Sequence, residues 1–362
     1  MRPTTLRSSR QESRINNIPD ESIHRGLPVQ ILPSLIHRLL RLLPPEEAHK
    51  AGLKLVRFFK AGRPEPPEAL QLKTWLGRLS PPIGLAAGFD KTGESVAYLA
   101  RLGFGYLVAG SVTLYPKPGN RRPRVVRRSG EALVNAMGLP NPGIERFVEN
   151  LLRSALRAGV PVVASVAGSE SQEVIACYER LKGVVSGVEI NLSSPSLRDA
   201  AAIWSEETFG QLAEMLASVK WGPVSLKIPP LAREELKSHV VKAVKIWADH
   251  GFEAITAVNT LPIDEPRLST GFGGLSGRPL NAYMLETLRE LRNIVGEGCE
   301  INAVGGIFTA EDALQAFRLG ASTIQVYTAI VYRGPGLVRE ITTDLAKLLR
   351  ELGAQSIEEI QP

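Results

Sequence analysis

The sequence predicts an α/β protein: a (β/α)8 TIM barrel preceded by an N-terminal amphipathic helical hairpin. Three observations predict it. Eight short runs of β-branched or apolar residues alternate with helical patterns in the part of the chain after residue 82. At 362 residues, 44% of them hydrophobic, the chain exceeds the roughly 250 residues typical of such a barrel by enough for an accessory segment. That segment, at the N-terminus, has helical periodicity of its own. An open doubly wound sheet would alternate in a similar way. The count of eight and the lack of a GxGxxG after the first strand argue against it.

Taken in order, residues 1–28 (MRPTTLRSSRQESRINNIPDESIHRGLP) are polar and lack an apolar signal-peptide core, so they read as a disordered tail. Residues 29–62 form the hairpin. VQILPSLIHRLLRLL sets Ile31, Leu32, Leu35, Ile36, Leu39, Leu42 and Leu43 at helical spacing, and Pro44-Pro45 interrupt it. EEAHKAGLKLVRFFKAG then starts a second helix with Leu53, Val56 and Phe59 on one stripe. Arg38, Arg41, Lys50, Lys54, Arg57, Lys60 and Arg63 face Glu46 and Glu47 on the polar sides. An apolar face with a basic rim suits an anionic membrane interface, and packing against the protein's own domain is the other reading. Residues 63–82, with the proline-rich GRPEPPEA at their start, read as a linker.

Residues 83–355 carry the barrel. Its strand signals are IGLAAG (83–88), YLVAGSV (106–112), PVVASVA (161–167), GVEINLS (187–193), PVSLKI (223–228), AITAVN (254–259), EINAVG (300–305) and TIQVYTA (323–329). Helical patterns such as EETFGQLAEMLASVK and YMLETLRELRNIV lie between them.

Composition excludes several classes. No run of 18 apolar residues is present to span a bilayer. Cys177 and Cys299 are far apart, which suits a reducing compartment and neither a disulfide framework nor a zinc site. A net charge of +6 with only 6% aromatic residues does not suggest nucleic-acid binding.

In a barrel the chemistry gathers at the C-terminal strand ends. These ends present Lys91, Ser111, Ser165, Asn191 with Ser193 and Ser194, Lys227, Asn259 with Thr260, Gly305-Gly306, and Tyr327-Thr328. Asn135 lies in the insertion after the second strand. Such a ring of amides, hydroxyls and two lysines holds no metal and activates no nucleophile, but it suits a planar polar heterocycle and an anion. Any one of these residues could equally be a cap or turn former. AVGGIFTAEDAL, with Thr309 as N-cap, and GFGGLSGRP lie where barrels recurrently bind phosphate, although their glycines could serve tight turns alone.

GLAAGFDKTGE, LYPKPGNRRPRVVR, GGLSGRPL, AVGGI and QVYTAIVYRGPGLV, with PPEEAH in the hairpin, resemble the dihydroorotate dehydrogenases over residues 31–345. These are FMN enzymes of pyrimidine synthesis, and the resemblance is nearest to the membrane-associated, quinone-reducing class (class 2). It implies oxidation of dihydroorotate to orotate with a quinone as acceptor. It also implies a peripheral position on the cytoplasmic side of the cell membrane through residues 29–62. By position, Ala87, Gly88, Lys91, Ser111, Ser165, Asn191, Lys227, Gly277, Gly306, Tyr327 and Thr328 would bind FMN. Lys91, Asn135, Met137, Gly138, Leu139, Asn191, Ser196, Asn259 and Thr260 would bind the substrate. His49, Arg127 and Tyr327 would meet the quinone, and no metal is implied.

The resemblance also gives the stretch EINLSSPSLRD a role. Ser194, directly before Pro195, would be the base that takes the C5 proton while a hydride leaves C6 for the flavin. Ser193 is the less favoured alternative. Placement and a polar relay can compensate for a weak base, and Lys91 with the asparagines would stabilise the developing enolate. Four positions depart from the quinone-class pattern: Ser196 and Ser165 each replace an asparagine, and Leu139-Pro140 replace Phe-Asn. The loop after Ser194 is also shorter. These differences motivate a second reading, an FMN oxidoreductase acting on another dihydropyrimidine or cyclic amide. A third reading is a non-catalytic phosphate-binding barrel at the membrane surface.

Overall fold

The computed structural model describes residues 31–58, 65–193, 203–232 and 234–362, with side chains from residue 36 onward. The 1–28 tail, the end of the hairpin beyond residue 58, Ser194 and Ser196 lie outside the described residues.

Eight parallel strands close into a barrel: β3 (Ile83–Leu85), β4 (Tyr106–Val112), β7 (Val162–Val166), β8 (Gly187–Asn191), β9 (Val224–Ile228), β10 (Ala254–Ala257), β13 (Glu300–Val304) and β14 (Thr323–Val326). β14 pairs with β3 to complete the ring. Each strand begins within one residue of the run that predicts it. With one face against the barrel interior and the other against helices, β4, β7, β8 and β9 are buried at every position. That is why they read as continuous apolar runs and not as alternating ones.

The surrounding helices are α3 (Val96–Leu99), α4 (Ile144–Ser154), α5 (Ser171–Arg180), α6 (Glu206–Ser218), α7 (Glu234–Asp249), α8 (Asn281–Val295), α9 (Ala310–Arg318), α10 (Thr328–Arg333) and α11 (Leu337–Glu351). α9 starts at the expected cap: the Thr309 side chain accepts from the Asp312 N–H and the Asp312 carboxylate accepts from the Thr309 N–H.

Two features depart from the sequence reading. The described part of the expected 63–82 linker is structured. β1 (Leu72–Thr74) and β2 (Gly77–Leu79) form a hairpin that packs Trp75 and Leu79 against Tyr106, Val108, Val163 and Ala254. Trp75 donates its indole N–H to Asn302 Oδ1 at 3.0 Å, and Thr323 Oγ1 donates to the same atom at 2.8 Å. The hairpin therefore closes the barrel interior from the N-terminal side. Three-residue strands are too short to register as a period.

The second feature is an antiparallel sheet of β5 (Val125–Arg128), β6 (Ala132–Asn135), β11 (Leu261–Asp264) and β12 (Phe272–Gly277), in the order β11-β12-β6-β5. It is built from the loops after β4 and β10, so it stands at the C-terminal mouth. α1 (Ile31–Leu40) and α2 (Pro45–Leu55) form the expected N-terminal helical hairpin beside this sheet. Arg124 and Glu46, both largely buried, pair at 2.9 Å, and Arg127 Nη1 donates to Leu43 O at 2.7 Å.

Trp75→Ala is expected to lower the unfolding free energy by about 3–5 kcal/mol, through the cavity left in the barrel floor. Trp75→Phe is expected to cost about 1 kcal/mol, because Asn302 Oδ1 keeps its bond from Thr323. Urea unfolding of the two variants against the parent checks both values.

Candidate active site

The loop after β3 is tied by one carboxylate. Asp90 accepts from the N–H groups of Thr92, Gly93 and Ser95 at 3.2, 2.9 and 2.6 Å, and from Thr92 Oγ1 at 3.2 Å. Burial nevertheless pushes its pKa above the ordinary carboxylate value, outweighing those donors. On the main chain, Gly110 N–H donates to Asp90 O at 2.8 Å and Gly88 N–H donates to Gly110 O at 2.7 Å. The loop so fixed presents Ala87, Gly88, Phe89 and Lys91 to a cavity of about 550 Å³ at the barrel mouth. Lys91 donates to the Gly88 carbonyl. Burial lowers its pKa to about 8, against the raising effect of Asp90.

Amides and hydroxyls from the next strand ends form one hydrogen-bonded chain. Ser165 Oγ meets Ser111 Oγ at 2.8 Å, and Asn191 Nδ2 donates to Ser111 Oγ at 2.9 Å. Asn259 Nδ2 donates to Ser193 Oγ at 2.9 Å and to Asn191 Oδ1 at 3.2 Å. Asn259 Oδ1 accepts from the Thr260 N–H at 2.9 Å, which fixes that amide's orientation. Asn135, at the end of β6, enters from the added sheet, where its Nδ2 donates to Gly274 O at 3.4 Å.

Leu139 adopts φ of 54°, a left-handed conformation that costs a non-glycine residue energy. Asn141 holds it there: its Nδ2 donates to Leu139 O at 2.8 Å while its Oδ1 accepts from the Gly143 N–H at 2.9 Å. On the far side of the mouth Ser276 Oγ and Thr328 Oγ1 meet at 2.9 Å. Gly306, with φ of 69°, packs so closely on α8 that a Cβ would stand 2.5 Å from Asn281 N.

The other end of the cavity belongs to the hairpin. His49, from α2, stands edge-on to Phe89 with ring centroids 4.9 Å apart, and Phe89 stands edge-on to Tyr327 at 5.3 Å. His49 Nε2 donates to Phe89 O at 2.8 Å, and the Tyr327 hydroxyl donates to Gly88 O at 3.2 Å. Burial pushes the His49 pKa down to about 3, with the Lys91 charge adding to the effect. Burial alone pushes Tyr327 up to about 12. His37, from α1, contacts Val331 O through Nε2 at 2.9 Å.

The cavity wall brings together Ala87, Gly88, Lys91, Ser111, Asn135, Met137, Gly138, Leu139, Asn191, Lys227, Asn259, Thr260, Gly277, Gly306, Tyr327, Thr328, His49 and Arg127. Ser165 does not reach it: it is fully buried behind Ser111. Ser194 and Ser196 lie outside the described residues. Among the wall residues that sequence reasoning gave no role are Ser276, Gln325 and His37, whereas Phe89 falls within the 87–91 stretch that the resemblance sets along FMN. Phe89 lies inside the GLAAGFDKTGE motif, which marks its place. Gln325 sits within an apolar strand run, where a lone polar residue facing the barrel interior was the available signal.

Residues 69–349 match the dihydroorotate dehydrogenase family. A relative from Erythrobacter litoralis, dihydroorotate dehydrogenase (quinone), is 36% identical over 91% of this chain and 98% of its own length. One of the same name from Rhodopseudomonas palustris is 36% identical over 89% of this chain and 93% of its own. This chain belongs to the dihydroorotate dehydrogenase family. A crystal structure of the Eimeria tenella dihydroorotate dehydrogenase in complex with ferulenol has the same fold. It superimposes with a TM-score of 0.79 at 23% identity, covering 90% of this chain and 97% of that one. The Eimeria ligand-free form gives 0.80. Polar groups concentrate at the barrel end of the cavity. Toward α1 and α2 the wall adds the apolar Ile36, Leu40, Leu53 and Val56 beside His37, Arg41, Glu46, His49 and Lys50.

The His49 value carries a sign. Between about 3 and the ordinary 6.5 the unfolded chain takes a proton on this imidazole that the folded chain refuses. This contribution to stability is therefore complete above pH 6.5 and falls as the pH is lowered toward 3. The expected result is a smaller loss of unfolding free energy over that window in His49→Gln than in the parent. Nitrogen chemical shifts of His49 should also remain those of a neutral ring, protonated on Nε2, at pH 5.

Proposed function

We propose that this protein oxidises dihydroorotate to orotate, with FMN in the barrel mouth and a quinone entering past the helical hairpin. The observation that carries this reading is a single cavity joining the amide ring of the strand ends to the inner face of α1 and α2. One reactant can bind at the polar end and another at the apolar end, with only a thin planar group needed between them. Family membership and the name carried by the relatives support the same reaction.

The residues present fit FMN. Lys227 is 5% exposed yet faces the cavity, and Gln325 Oε1 is buried with no hydrogen-bond partner of its own. A heteroaromatic ring with ureide-like N–H and C=O groups would meet such donors and acceptors. Ala87, Gly88, Ser111, Asn191 and Lys227 would hold the ring, with Ser165 supporting Ser111 from behind. Gly277, Gly306 and Thr328 would hold the phosphate end, and Tyr327 would close the side toward the quinone. When bound, FMN supplies an acceptor for the hydride from substrate C6.

The substrate would sit among Lys91, Asn135, Met137, Gly138, Leu139, Asn191, Asn259 and Thr260. The fixed amides of Asn191 and Asn259 orient its ring before reaction, so little reorganisation remains for the transition state. Lys91, as the ammonium, stabilises negative charge developing on the carbonyl next to C5. Ser194 takes the C5 proton while its own hydroxyl proton moves on to a hydrogen-bonded neighbour or water. Ser196, two residues on, would border the same ring. His49 and Arg127, with Tyr327, would border the quinone, in a region where burial keeps His49 uncharged.

The hairpin would rest on the membrane surface, the cytoplasmic side of the cell membrane in a bacterium. Leu39, Leu42 and Phe58 are 57%, 81% and 79% exposed, and basic residues of both helices flank them. Among the described residues no helix is long and apolar enough to cross a membrane.

Anaerobic mixing with dihydroorotate is expected to bleach the visible flavin band of the purified protein. Ser194→Ala should slow that bleaching at least about a hundredfold, the usual scale for loss of a positioned base. A flavin that stays oxidised in the parent would rule out this substrate and direct attention to other dihydropyrimidines. For the surface, Leu42→Glu and Phe58→Glu should each weaken binding to anionic phospholipid vesicles by about tenfold or more, given the apolar area lost. Unchanged sedimentation with vesicles would remove the membrane assignment.

A further inference from the structure

The barrel interior beneath the mouth holds a charge pair that the reaction as described does not use. Glu189 lies on β8 two residues before Asn191, so its side chain points to the same inward face, one layer lower. Its carboxylate is 1% exposed and neither oxygen has a hydrogen-bond partner among the described residues. The near cation is Lys227 on β9, whose Nζ is 3.7 Å from Glu189 Oε1 and which is itself 5% exposed. Lys227 is part of the cavity wall and Glu189 is not. A buried carboxylate without donors is costly unless a cation compensates it, and here one cation does so from one side.

We propose that Glu189 is a positioning residue for Lys227 and sets the reduction potential of the bound flavin by neutralising the lysine charge. This rests on the reading that Lys227 touches FMN. The effect is electrostatic. Reduction adds electrons to the flavin, so an unopposed ammonium against the ring would favour the reduced form. In a low-dielectric interior that preference is large. The carboxylate opposite Lys227 cancels most of it, keeping the reduced flavin a good enough donor to pass its electrons to the second substrate. The aliphatic stem of Lys227 runs from β9 beside Asn191, its register partner on β8. The ion pair therefore also fixes where the ammonium stands relative to the amide ring.

Among the described residues, neither oxygen of Glu189 receives a hydrogen bond from a neighbouring side chain. The Tyr106 hydroxyl is engaged with Thr323 Oγ1 at 2.7 Å, and burial with the nearby Glu189 charge keeps it protonated, its pKa far above the ordinary value. Gln325 is also near Tyr106, but no hydrogen bond joins its amide to Glu189, whose oxygens are both without a donor, and its own Oε1 is unpartnered.

The test is a redox titration of the holoprotein with a reference dye. Glu189→Gln keeps shape and removes the charge, so the flavin midpoint should rise by at least tenfold in the reduction equilibrium, about 30 mV for a two-electron couple. Lys227→Met should lower it, and the double variant Lys227→Met/Glu189→Gln should return it to within threefold of the parent. An unchanged midpoint in Glu189→Gln would overturn the proposal. If Glu189→Gln does not fold, the double variant, which buries no charge, decides the matter. A midpoint equal to that of Lys227→Met alone would show that Glu189 exerts no field at the flavin, and a return toward the parent would establish it. A protein that binds no FMN at all would overturn the functional reading on which this inference rests, and its lack of colour would separate that failure from the others.

Discussion

The Asp90 carboxylate is the constraint on which the site depends. By accepting four hydrogen bonds from residues 92–95 it turns the chain sharply after β3 and locks the turn from within. Three functions meet on the peptide units it holds. The Gly88 carbonyl receives both Lys91 and Tyr327, the Phe89 carbonyl receives His49, and the Asp90 carbonyl receives the N–H of Gly110, next to Ser111. A shift of this turn would move the lysine, the aromatic pair and the start of the amide chain together. A carboxylate suits the role because it offers about four lone-pair sites in one small group. Its burial cost is accepted in return for a backbone with few alternatives.

Burial then divides the cavity by charge. At the barrel end Lys91 is lowered only to about 8, because Asp90 behind it offsets part of the desolvation. A bound anion would restore the rest. Toward the hairpin only the hydrogen bond to the Phe89 carbonyl opposes the desolvation of His49, and Lys91 makes it worse, so the imidazole remains neutral. The Arg127 pKa is also lowered by burial, and Arg127 is held through Leu43 O instead of a carboxylate. One end of the cavity is suited to a charged, polar molecule and the other to an uncharged one. The division follows from Asp90 standing behind Lys91, while the hairpin carboxylate Glu46 is taken up by Arg124 and, among the described residues, no carboxylate hydrogen-bonds His49.

Much of this was legible in the sequence. The barrel strands were visible because burial on both faces makes them apolar throughout, and the polar residues trailing those runs became the amide ring. What escaped was structure whose signal is too short or too distant. β1 and β2 are three residues each, and their purpose shows only when Trp75 reaches Asn302 across 227 positions. The sheet of β5, β6, β11 and β12 joins two insertions that look like loops separately, because each strand finds its partner in the other insertion or in a hairpin at its own end. Ser165 was legible as a polar strand end but not as the residue behind Ser111, since the pleat that hides it depends on the close approach of β4 and β7. Glu189 was part of a quoted stretch, yet its pairing with Lys227 is a property of neighbouring strands and of no local pattern.

The sequence offered two readings of the hairpin, a membrane surface and self-packing, and its apolar residues are divided in a way that bears on both. An amphipathic helix pair on a barrel has two demands on its apolar residues: some must seal the cavity and others must face whatever lies outside. Here α1 and α2 divide them. Leu40, Leu53 and Val56 turn inward to the wall, and Leu39, Leu42 and Phe58 remain exposed. The inward set is held by polar contacts at the rim: Glu46 with Arg124, and the Leu43 carbonyl with Arg127. Those arginines come from LYPKPGNRRPRVVR, which also supplies β5. The same insertion thus builds the roof of the polar end and anchors the apolar end. The two helices meet at Gly52, where a Cβ would stand in ordinary contact, 4.0 Å from Leu40 Cδ1. A hairpin that only packed on its own domain would bury its leucines on one side and present a polar outer face. A hairpin with apolar residues on both faces, fixed at one edge by ion pairs, seals the cavity with one set and leaves the other uncovered, the arrangement that the proposed membrane contact would use.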